Sequence, residues 1–152
     1  MAPEAPPPLP RPARLLGWLG LLPAAAALAA AHLAPPREAG LAIHAGALYA
    51  GLILSFLGGA WWGLATRGPA DMAWRLYGVA VIPSLAAWLL LATPMPSGIM
   101  LLGGLVIGSV LVDIGLDGRG LTPAGWLALR LPLSVGLGVL TILLGLAARA
   151  PA

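Results

Sequence analysis

Five apolar runs, at about residues 15–33, 41–66, 76–92, 99–116 and 124–148, leave this chain almost nothing to fold into except a stack of membrane helices. Each run is near or above the roughly 20 residues that cross about 30 Å of hydrocarbon at about 1.5 Å per residue, the third and fourth being short. A backbone in lipid must satisfy its own polar groups, which leaves helices and closed barrels. No alternating strand pattern appears, so the expected fold is all-α, a bundle of five transmembrane helices. The charge count agrees: eight basic and five acidic residues among 152 are too few to cover a soluble surface. Soluble enzymes and nucleic-acid-binding domains are poor readings of such a chain, and the absence of cysteine removes disulfides and thiolate chemistry.

Two regions are expected. Residues 1–13 read as a proline-rich cytoplasmic tail too poor in apolar groups to order itself, and residues 14–149 as the five-helix domain. Arg11 and Arg14 before the first run resemble the start of a signal peptide, with Ala29, Ala30 and Ala31 as a cleavage site. The run is long for a signal core and holds Trp18 and Pro23, so retention is expected.

The breaks carry recognisable turn chemistry. Residues 34–40 form the first connection, and Gly68-Pro69 the second, with glycine suited to a left-handed helix end and proline to a first turn. Residues 93–98 make a tight uncharged turn, Asp117-Gly118-Arg119-Gly120 is a charged turn signal, and Thr122-Pro123 reads as a helix cap followed by a first-turn proline. Pro23, Pro83 and Pro132 inside spans predict kinks.

If the spans alternate, Arg11, Arg14, Arg67, Arg75, Arg119 and Arg130 lie on or near one face, and Arg37 and Arg149 on the other. Six against two is expected to put the N-terminus in the cytoplasm and the C-terminus outside. Trp61, Trp62, Trp74, Tyr77 and Trp126 fall near the same cytoplasmic boundary and read as interfacial anchors.

Three sets of side chains are site candidates. Ala47, Gly51, Ser55, Gly59 and Gly63 repeat every fourth residue in the second span, with Gly104 and Gly108 in the fourth; they are expected to form a close helix-packing stripe, with a homodimer face or a lipid or quinone groove as alternatives. Asp113 and Arg130 fall near the cytoplasmic ends of consecutive spans, with Arg75 entering from the same side. Ionisable groups at such depth usually pair, so a structural ion pair with Arg75 nearby is expected, against a proton or anion pathway or a headgroup site. His32 and His44, near the outer ends of two adjacent spans, are weak candidates for a haem or a metal, with only Glu38 close by as a further ligand.

The run from Ile53 to Gly63, with Tyr49 before it, resembles the family named domain of unknown function 3429, which includes bacterial inner-membrane proteins and the mitochondrial transmembrane protein 69. The similarity extends through Gly17 to Pro23, Gly78-Val79, Pro83, Ala87-Trp88, Asp113, Gly115, Pro123 and Arg130. Trp61 stands where that family commonly has a histidine. The resemblance implies a membrane fold and adds no reaction. The expected role is a non-enzymatic accessory, assembly or lipid-interacting component without cofactor. Its partners would be anionic lipids and a membrane protein or a second copy. A transporter or channel subunit, or a haem or quinone redox subunit, are the rivals.

Overall fold

The structure is a computed structural model that describes residues 9–92 and 95–149. Its helices are α1 (Arg11–Leu19), α2 (Leu22–Leu33), α3 (Pro36–Ala65), α4 (Ala73–Ala92), α5 (Pro96–Asp117) and α6 (Trp126–Ala147), with a single 3-10 turn at Ala70–Met72 before α4. With α1 and α2 counted as one span, five stretches are long and apolar enough to cross a membrane. The chain is an all-α multi-pass membrane bundle.

Neighbouring spans run antiparallel, as the paired positions require. Between α5 and α6, Gly145 approaches Met100, Gly103 approaches Gly138, and Asp113 meets Arg130, so one number rises as the other falls. The α3–α4 pair behaves the same way, with Gly51 against Leu91, Ser55 bonded to Ser84, and Gly58 on the carbonyl of Ala80. Helices in lipid gain little from apolar burial against one another, so these contacts rest on close approach and polar pairing. A methyl group on Gly103 would sit 2.6 Å from the carbonyl oxygen of Gly138, which shows how little space separates the two backbones. The main core gathers Ala50, Leu54, Leu57, Leu102, Val106 and Leu137 from α3, α5 and α6.

The first span departs from a continuous helix. It starts at Arg11, so residues 9–13 of the expected tail belong to the folded part, and the Leu9 amide donates to the carbonyl of Ala124 at 3.3 Å. Residues 1–8 of that tail lie outside the described residues. The helix breaks at Gly20-Leu21, where amides bond three residues back, to Gly17 and Trp18. Pro23 lacks the amide that would continue the ladder to Leu19, which is the physical reason for a joint here rather than a kink further along. The hydroxyl of Tyr49 donates to the carbonyl of Gly20 at 2.5 Å and ties the joint to α3.

Several connections are shorter than expected. Of residues 34–40 only Ala34 and Pro35 lie outside a helix, because Pro36 opens α3 at its first turn and Glu38 sits favourably there against the helix dipole. Pro96 likewise opens α5, so Pro96, Ser97 and Gly98 are helical, while Thr93 and Pro94 lie outside the described residues. Gly68 is not a left-handed helix end: α3 closes on Thr66 at φ −61°, and the positive-φ glycines are Gly120 and Gly125. Gly68 is needed for space instead, since a side chain there would collide with Leu76. Thr122-Pro123 does not cap the last span. Gly125, at φ 80°, precedes its first residue, and the Thr122 hydroxyl donates to the Asp117 carboxylate across the turn.

Candidate functional site

The polar centre of the bundle is built around Asp113, which is fully buried near the end of α5. Four residues earlier on the same face stands Ser109. The antiparallel α6 brings Trp126 and Arg130, one turn apart, alongside this face, and α3 brings Trp61 from the other side. The two indole N–H groups of Trp61 and Trp126 both donate to Asp113 Oδ1, each at 2.9 Å. Arg130 Nε donates to Asp113 Oδ2 at 3.0 Å, and its Nη2 donates to Ser109 Oγ at 3.2 Å. The Ser109 hydroxyl in turn donates a hydrogen bond to the carbonyl of Val106 at 2.7 Å. Asp113–Arg130 is the ion pair found among the described residues, and it joins α5 to α6.

Trp61 is therefore not an interfacial anchor. It is 3% exposed and donates into the buried carboxylate. Trp126 is half-buried and has the same second role. Trp62 and Trp74 do lie on the surface, and Trp62 stacks at a tilt on Tyr77 with ring centres 4.6 Å apart. Arg75 stays out of the ion pair. It is exposed on α4 and lines a cleft of about 280 Å³ with Arg119, over Trp61 and Val112.

The small-residue stripe divides. Ala47 and Gly51 are buried and Ser55 is half-buried against Ser84, but Gly59 and Gly63 are exposed with open space beside them. A spacing of four advances about 400° around a helix of about 3.6 residues per turn, so each step drifts by about 40° and five positions drift by about 160°. The far end of such a row must leave the interface it began in. Gly104 and Gly108 are exposed too, and the contact glycines of α5 and α6 are Gly103, Gly138 and Gly145. Gly138 and Gly145 are seven apart, a spacing that drifts only about 20°, so both stay on the face where a row of fours would wind away.

His32 and His44 are both exposed. His44 borders a cleft of about 290 Å³ at the far end of the bundle, with Pro96, Ile99 and Ala148, and His32 is not among its walls. Among the described residues no three histidine, aspartate or glutamate side chains cluster as a metal site would require.

Beside the Asp113 cluster lies a cavity of about 530 Å³ between α1, α3 and α6. Its walls are apolar (Leu16, Ile53, Leu133 and Leu137 among them), and Arg130 and Ser134 supply the polar part. Ser134 is 1% exposed and its hydroxyl has no hydrogen-bond partner. No hydrogen bond among the described residues uses the Nη1 of Arg130. Sequence reasoning missed Ser109 and Ser134, although each stands four residues from a charged residue on its own helix, Asp113 and Arg130 respectively.

Fold and site together define a five-span helical membrane protein whose buried charges are spent on one inter-helix cluster and whose sides carry apolar hollows. The chain belongs to the family described as Protein of unknown function (DUF3429), which matches residues 9–147. No curated protein and no solved structure matches it.

Proposed function

We propose that this protein is a non-catalytic component of the bacterial inner membrane that holds lipid, with its N-terminus in the cytoplasm and its C-terminus in the periplasm. The carrying observation is the cavity of about 530 Å³ between α1, α3 and α6. Its apolar lining suits a hydrocarbon chain, and Arg130 and Ser134 suit an acceptor oxygen at the chain's head. In a bilayer the most abundant molecule with both properties is the lipid itself. The six-to-two arginine distribution supports the orientation. The commitment of Asp113 to three donors from α3 and α6 supports a structural role for the buried carboxylate, because its acceptor oxygens are spent on joining helices.

Mass spectrometry of protein purified in mild detergent tests this reading. At least one retained lipid per chain is expected, and Ile53→Trp, which narrows the cavity, should lower the retained amount. A chain that remains folded and carries no lipid at all would contradict the reading.

A further inference from the structure

The α4–α5 side of the bundle carries a second hollow with a different polar end. The cleft of about 280 Å³ at the arginine-rich end is bordered by Arg75 from α4 and Arg119 from the turn after α5. Its floor is apolar, made by Trp61, Val79 and Val112. The same three residues line the next hollow, of about 360 Å³, which continues between α4 and α5 past Pro83, Leu105 and Gly108. The two hollows thus form one trough, with two cations at its mouth and hydrocarbon walls below. From Gly115 to Leu105 the trough follows ten residues of helix, about 15 Å at 1.5 Å each, which matches half of a hydrocarbon core of about 30 Å.

Charge points to the occupant. Neither Arg75 nor Arg119 has a carboxylate partner among the described residues; Arg119 donates to the carbonyl of Gly115 and Arg75 is exposed. Asp71 and Asp117 lie at the same end, but neither borders the cleft, and Asp117 accepts from Thr122. Gly108 also gains a purpose here. A methyl group at that position would meet no atom of the protein within 4 Å, so its smallness leaves the trough open rather than letting a helix approach.

We infer that this trough binds an anionic phospholipid, with its phosphate between Arg75 and Arg119 and one acyl chain lying against Val79, Val112 and Gly108. The inference rests on the lipid-holding reading above and names the lipid class that this second site selects.

Native mass spectrometry of the delipidated full chain, offered phosphatidylglycerol and phosphatidylcholine of equal chain length, tests it. The unaltered chain should retain the anionic lipid several-fold over the zwitterionic one. Arg75→Gln with Arg119→Gln should bring the two to parity, whereas Arg11→Gln with Arg14→Gln, which removes the same charge from the same end, should leave the preference in place. Gly108→Leu fills open space at the surface and should lower retention of phosphatidylglycerol without unfolding the chain. Equal retention by the unaltered chain overturns the inference and leaves the lipid-holding reading standing; no retention of either lipid overturns both. A preference that survives in the Arg75/Arg119 variant and vanishes in the Arg11/Arg14 variant also overturns it, because the attraction is then diffuse. Glycerol 3-phosphate competing as well as the intact lipid overturns it as well, since the trough would then contribute nothing.

Discussion

At Asp113 one carboxylate meets N–H donors from three side chains on two other helices, and this sets what each substitution should do. Asp113→Ala leaves the Arg130 guanidinium buried without its counter-charge, and a broken buried pair costs about 3–5 kcal/mol. Removing both charges together, as Asp113→Leu with Arg130→Leu, should cost less than the sum of the single changes, because no charge is then left uncompensated. Equilibrium unfolding in a detergent titration measures both, and strict additivity would mean that the pair carries no coupling. Trp61→Phe keeps an aromatic ring but a smaller one and removes one charged hydrogen bond, a loss of at least about 1.5–3 kcal/mol. Trp62→Phe, on an exposed ring, should change the same measurement by less than about 0.5 kcal/mol.

Between helices, the decisive quantity is how closely two backbones come. Gly103 and Gly138 face each other across α5 and α6, and a methyl on either would press on the other's carbonyl oxygen at 2.6 Å. Gly103→Ala should therefore destabilise by about 1–3 kcal/mol through overpacking. Gly59→Leu and Gly104→Leu, at positions with nothing nearby, should be close to neutral; equal effects at Gly59 and Gly103 would contradict the assigned seam. The existence of the five spans was legible in the sequence because uninterrupted apolar length is itself the physical requirement for crossing lipid. The seam was not, because a repeat of four looks like a face on paper and winds away from it in three dimensions. Helix starts at Pro36 and Pro96 were missed for a related reason: proline reads as a breaker, yet the first turn of a helix needs no amide from it. The Asp113–Arg130 contact could be anticipated from depth and connectivity alone. The indole donors could not, since a tryptophan near a membrane boundary has the same sequence signature whether its N–H faces headgroups or a buried carboxylate.

For the molecule as a whole, the polar cluster, the arginine-bordered trough and the exposed Trp62 and Trp74 all lie at one end. Among the described residues that end carries Arg11, Arg14, Arg67, Arg75 and Arg119 against Asp71 and Asp117, a net positive face suited to an anionic leaflet. Both proposed lipid sites take their meaning from which leaflet this face meets. The most direct measurement is a pair of alkaline phosphatase insertions, one between Gly68 and Asp71 and one at Met95 in the opposite connection. The enzyme should be inactive at the first position, in the cytoplasm, and active at the second, in the periplasm. Activity at the first and none at the second would reverse the orientation and remove the arginine-rich face from the anionic cytoplasmic leaflet.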